Sequence, residues 1–167
     1  MGDEKWEMRK VRSIFIVEDD PEMCITLENI LSEEGYTVKT ACSGGEALRL
    51  ARKEEYSVCL LDLELPDISG IEVLKHLKAF NPDMCVIVIT AYESKEKAIE
   101  ALKAGAYYYM YMHNEKTVNR AELLVTVKRA YDTYQLLEDK KRVEDELRWS
   151  EESIAHSCSP PGILSIS

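Results

Sequence analysis

The chain's 167 residues are enough for one domain of ordinary size with a short appendage, and 46% hydrophobic residues can bury a real core. A formal charge of −10 argues against sequence-independent binding to DNA or to an anionic membrane surface. The N-terminal "MGDEKWEMRK" has no apolar centre, and no stretch approaches the roughly 20 apolar residues that span a bilayer, so a cytoplasmic protein is expected.

Short β-branched runs alternate with longer amphipathic ones. Five runs read as strands: "SIFIV" (13–17), "TVKTA" (37–41), "SVCLLD" (57–62), "CVIVIT" (85–90) and "YYYMYM" (107–112). The third and fourth are almost continuously apolar, as central strands of a parallel sheet are when helices cover both faces. Between them, "PEMCITLENILSEEG" opens on Pro21 and closes on Gly35, a helix with start and stop signals. "GGEALRLARKEE", "GIEVLKHLKAF" and "SKEKAIEALKAG" carry apolar residues at three- and four-residue steps. Five such alternations predict a βαβ series with right-handed crossovers and helices on both faces of a parallel sheet.

From about Ala121 a last helix is expected, with Leu123, Val127, Ala130, Tyr134 and Leu137 on one stripe. The stripe then slips to Leu136, Lys140, Val143 and Leu147, with charges of both signs between. Three readings stand for this stretch: a solvated extension, a short coiled-coil arm, or a linker to an output domain. The division expected is an N-terminal tail over 1–10, a domain over 11–131, a helical extension over 132–150, and a disordered Ser/Pro-rich tail over 151–167. The five cysteines show no metal-ligand spacing and read as small hydrophobes with free thiols.

The stretch "VEDDP" sets Glu18, Asp19 and Asp20 at the end of the first strand. Asp20 is placed to cap the helix beginning at Pro21. In an open α/β sheet, ligands bind beyond the carboxyl ends of the strands near the point where strand order reverses. The third strand ends on Asp62 and the fourth on Thr90, followed by Ala91. If the first and third strands are neighbours, as in the flavodoxin-like order 2-1-3-4-5, three carboxylates meet on one edge. They would repel unless a hard cation joined them, and oxygen-only ligands with room for water suit Mg²⁺. The bland alternatives are a solvated turn for Glu18 and Asp19, and an ordinary strand-end acid for Asp62.

These residues, with "LLDLELPDISG", "VIVITAY" and "KAGAYYYM", make the chain resemble the receiver domains of two-component response regulators over roughly residues 11–131. Pro66 four residues after Asp62, Gly70 eight after it, and Thr-Ala at the next strand end occur in the family's order. The resemblance implies that Asp62 is the phosphoacceptor, taking a phosphoryl group from a histidine kinase or phosphotransfer protein. It implies that Asp19 binds Mg²⁺ with Glu18 assisting, and that the backbone carbonyl of Glu64 completes the protein ligands. Thr90 would donate its hydroxyl to a phosphoryl oxygen, with Tyr109 as the aromatic switch residue. Such a domain is not an enzyme in the ordinary sense, since it catalyses only its own phosphoryl transfer and dephosphorylation.

One position departs from the family. Members carry a lysine at the end of the fifth strand, and the corresponding slot here holds Met112. An insertion of four residues between Tyr109 and Lys116 would make Lys116 the pocket lysine. Lys95 and Lys97 are less favoured substitutes because they lie on the preceding helix.

Three functions compete. One is a phosphorylation-controlled receiver, and a second is a pseudo-receiver used as a phosphorylation-independent docking module. The third is a phosphatase of the haloacid dehalogenase type, which would want an Asp where Glu64 stands. No helix-turn-helix or basic patch follows residue 131, so no nucleic acid is expected on this stretch, while pairing of two copies through the C-terminal helices is.

Overall fold

The computed structural model describes residues 12–112 and 117–157. Five parallel strands, β1 (Ser13–Val17), β2 (Thr37–Ala41), β3 (Val58–Leu61), β4 (Cys85–Thr90) and β5 (Tyr108–Tyr111), form one sheet in the order β2-β1-β3-β4-β5. The helices are α1 (Pro21–Glu33), α2 (Gly44–Ala51), α3 (Gly70–Phe80), α4 (Lys95–Lys103) and α5 (Arg120–Ser157). This is the expected doubly wound parallel fold.

Period-two alternation sorts the strand residues into two cores. Ile14, Ile16, Leu60, Ile87 and Ile89 pack with Leu27 and Leu31 of α1 and with Leu123 and Val127 of α5. Phe15, Val17, Leu61, Val86 and Val88 pack with Ala47 of α2, Leu74 and Leu77 of α3, and Ala101 of α4. Both faces are therefore covered, which is why β3 and β4 are buried at every position and read as continuous apolar runs. A fully buried Leu or Ile on such a face contributes ~1.5–3 kcal/mol.

Local chemistry sets the helix ends. Asp20 caps α1 through Oδ1, accepting from the Glu22 amide at 3.0 Å, and Pro21 follows it. Ser43 and Ser94 cap α2 and α4 in the same way, accepting from Glu46 and Lys97 amides at 3.2 Å each. The chain leaves α1 and α4 at Gly35 and Gly105, whose φ values of 84° and 102° suit a residue without Cβ.

Strand β5, helix α5 and two of the cysteines differ from expectation. Strand β5 is shorter than the expected 107–112 because Tyr107 and Met112 fall outside its ladder. Helix α5 continues through Ser157, beyond residue 150, because no helix breaker intervenes before Pro160. Residues up to Tyr134 and those from Gln135 onward form two separate compact units. Cys59 and Cys85 are core residues as expected, but Cys42 is exposed and Cys24 only half-buried. Among the described residues, no helix is long and apolar enough to cross a membrane.

Candidate functional site

The sheet order makes β1 and β3 neighbours, with Val17 opposite Leu61. The next residue on each strand is acidic, so Glu18 and Asp62 emerge side by side beyond the carboxyl edge. Backbone bonds continue the ladder past the strand ends: the Asp62 amide donates to Val17 O at 3.0 Å and the Glu18 amide to Ala41 O at 3.0 Å. Carboxylate oxygens of Glu18, Asp19 and Asp62 all lie within 4.8 Å of one another. Glu18 is buried, Asp62 half-buried and Asp19 exposed.

Three carboxylates so close are electrostatically unfavourable. The Glu18 carboxyl is held well above the usual carboxylate range, first by burial and then by the charge of Asp62. Asp62 is also raised by burial, against the lowering effect of the Glu64 amide, which donates to its Oδ1 at 3.0 Å. Glu18 Oε1 accepts from the Asp20 amide at 3.0 Å, which fixes its rotamer towards the pocket. An all-oxygen donor set of three carboxylates this close fits a hard divalent cation, which would offset their mutual repulsion.

These carboxylates open on a cleft of about 440 Å³ that Glu64, Ala91, Tyr92 and Met112 also line. Thr90, the last residue of β4, is 1% exposed, and its Oγ1 accepts from the Tyr92 amide at 3.1 Å. Ala91 presents no side chain beyond Cβ beside it. Met112 is buried and held by its amide to Thr90 O at 3.0 Å, so the cleft is lined at the end of β5 by a thioether rather than a cation. Lys116 lies outside the described residues.

Two features were not anticipated. Lys97, disfavoured on sequence grounds, places Nζ 2.7 Å from Glu64 Oε1 on the rim of the cleft and 4.8 Å from the centroid of the Tyr92 ring. The only hint in the sequence was its position one turn into α4. Asp67 accepts from the Gly44 and Gly45 amides at 2.9 and 2.8 Å, tying the β3–α3 loop to the start of α2. Tyr109 is half-buried on β5, and its hydroxyl donates to Tyr92 O at 3.3 Å.

The family model for the response regulator receiver domain matches residues 14–128. The chain belongs to the response regulator receiver family. It is 41% identical over 97 residues to the transcriptional regulatory protein ZraR of Escherichia coli K12, an alignment covering 58% of this chain and 22% of that protein. Against the alginate biosynthesis transcriptional regulatory protein AlgB of Pseudomonas aeruginosa it is 29% identical over 152 residues, covering 90% of this chain and 33% of AlgB. The chain thus spans only a fifth to a third of the length of these curated relatives. A CheY-like receiver domain structure from Methanospirillum hungatei superposes with a TM-score of 0.70 at 34% identity, covering 75% of this chain and 97% of that one. The beryllofluoride-activated NtrC4 receiver domain, solved as a dimer, gives 0.69 at 32% identity and covers 74% of this chain and 99% of that one. The chain is thus a receiver domain of a two-component response regulator.

Proposed function

We propose that this receiver accepts a phosphoryl group on Asp62 from a phosphohistidine of a histidine kinase or phosphotransfer protein, and signals by changing conformation. The observation that carries the proposal is the meeting of the Glu18, Asp19 and Asp62 carboxylate oxygens within 4.8 Å at the ends of β1 and β3. The Asp62 oxygen forms a bond to phosphorus as the phosphorus–nitrogen bond breaks, its electron pair leaving with the imidazole. Such transfer needs in-line positioning and cancelled oxygen charge rather than covalent assistance.

Glu18, Asp19, Asp62 and the backbone carbonyl of Glu64 are the groups that would hold Mg²⁺. A bound Mg²⁺ would supply charge neutralisation for the carboxylate and phosphoryl oxygens. The chain's own groups do the rest. The Glu64 amide orients Asp62 by its bond to Oδ1. Thr90, whose Oγ1 accepts from the Tyr92 amide, donates its own hydroxyl proton to a phosphoryl oxygen. A shift of Thr90 towards that oxygen pulls on the backbone at Tyr92, to which Tyr109 is hydrogen-bonded, so the two tyrosines form the element through which the added charge is read.

A second reading, a pseudo-receiver that docks partners without phosphorylation, is favoured by Met112 occupying the lysine slot. Intact mass after incubation with Mg²⁺ and acetyl phosphate separates the two. One added phosphoryl group, lost in Asp62→Ala, supports the acceptor; none on the folded protein supports the docking module.

A further inference from the structure

From Gln135 onward α5 carries an exposed apolar seam. Leu136, Val143, Leu147 and Ile154 are exposed by 70%, 57%, 59% and 59%, far more than core side chains of their size. They follow one another by seven, four and seven residues, and residues three, four and seven apart share a helix face. Lys140 and Ser150 fill the two remaining positions of the same four-three pattern. This is a short heptad seam of the kind that pairs with another helix.

Charge decides what that helix can be. Asp139 and Glu146 each precede a seam position by one residue, and Glu144 and Glu151 each follow one. They are the flanking positions that meet a partner's flanks across a coiled coil. These four are acidic, and the remaining two flanking positions are the uncharged Leu137 and Ser153. The basic residues Lys141, Arg142 and Arg148 fall on the side away from the seam. Within the helix, Arg142 reaches Asp139 at 3.4 Å and Lys140 reaches Glu144 at 3.9 Å, so two of the acids are partly offset. A second copy, parallel or antiparallel, would set acid against acid on both flanks, and in the aligned parallel pair Lys140 would also face Lys140. An anionic lipid surface or a nucleic acid would meet the same acids.

We infer that residues 136–154 of α5 are a docking seam for an amphipathic protein helix that carries lysine or arginine on both sides of its apolar stripe and a polar or acidic residue opposite Lys140, and not for a second copy of this chain. Binding would be read through the seam's Leu, Val and Ile, with the acidic flanks setting partner choice and association rate. The inference is independent of phosphoryl acceptance at Asp62.

The test titrates the full chain, by calorimetry at low and high salt, with two synthetic three-heptad peptides sharing a Leu/Ile seam, one with lysine and the other with glutamate at the flanks. The expected result is that the lysine peptide binds at least about tenfold tighter than the glutamate peptide, a difference of ~1.4 kcal/mol, and that salt narrows the gap. Leu147→Asp, a change on an exposed helix face that leaves the receiver folded, should abolish binding. The triple change Glu144→Lys, Glu146→Lys, Glu151→Lys should reverse the preference. Asp62→Ala should alter neither. Equal binding of both peptides, or binding of neither, would overturn the inference. So would a dimer in sedimentation equilibrium that Leu147→Asp dissociates, since the seam's occupant would then be a second copy.

Discussion

The ammonium of Lys97 sits 2.7 Å from Glu64 Oε1, joining the first turn of α4 to the loop that follows Asp62. The pair is half open to solvent, so its contribution to stability is small, typically ~0.2–1 kcal/mol. Its position matters more. Glu64 lines the cleft, and without Lys97 its negative charge stands uncompensated where, on the proposed function, an anionic phosphoryl donor would arrive. Lys97→Ala should leave the melting temperature nearly unchanged while slowing acetyl phosphate uptake several-fold at low salt. Glu64→Gln should speed it. Intact-mass time courses at two ionic strengths would show both effects, which should fade as salt rises.

The carboxyl cluster makes stability depend on pH and on divalent cation together. Glu18 and Asp62 are both raised, so the folded protein holds more protons than the unfolded chain above the ordinary carboxylate range. The sign is then fixed: without metal, stability from these groups falls as pH rises through that window. A cation binds the deprotonated form, so Mg²⁺ should stabilise more at about pH 8 than at about pH 5. At a concentration near 100 times its dissociation constant the gain is ~2.7 kcal/mol, several degrees in melting temperature for a domain of this size. Glu18→Gln should flatten the pH dependence measured in EDTA.

Gly70 has no room for a side chain. A Cβ there would collide with Leu63 Cα and lie 2.7 Å from Asp62 O, both backbone atoms. The Gly70 amide also donates to Leu63 O at 3.2 Å, holding α3 against the segment that presents Asp62. Gly70→Ala should destabilise by ~2–3 kcal/mol in urea unfolding and reduce phosphorylation of whatever remains folded, because relief must come from moving that segment.

Asp67 predicts acid sensitivity of another kind. The Gly45 and Gly44 amides hold its carboxyl below the ordinary range. A depressed carboxyl adds stability above its unfolded value and loses it as pH falls through the folded one. Asp67→Asn should therefore lower the melting temperature at neutral pH and narrow the gap to wild type at about pH 3, as calorimetry at the two pH values would show.

How far the sequence reached can be judged residue by residue. The buried runs of β3 and β4 revealed a parallel sheet because covering both faces leaves no polar position, and Asp20, Pro21 and Gly35 marked α1 because caps act locally. The meeting of Glu18 with Asp62 needed only the strand order. The Lys97–Glu64 and Asp67–Gly44 contacts were beyond reach because each joins segments with no shared periodicity, through side chains whose direction depends on loop geometry. The length of α5 was underestimated because the apolar pattern weakens before helix propensity does, and only Pro160 supplies a stop.

The strand order also constrains the folding sequence. Strands β1 and β2 pair early in the chain, yet the candidate site lacks Asp62 until β3, which begins at Val58, inserts beside β1. A nascent β1–α1–β2 unit therefore carries Glu18 and Asp19 of the site without Asp62. Because such non-local parallel pairing forms slowly, a divalent cation has nothing complete to grip until the central strands have docked. It should then act mainly by slowing unfolding and leave the folding limb of a chevron almost unmoved.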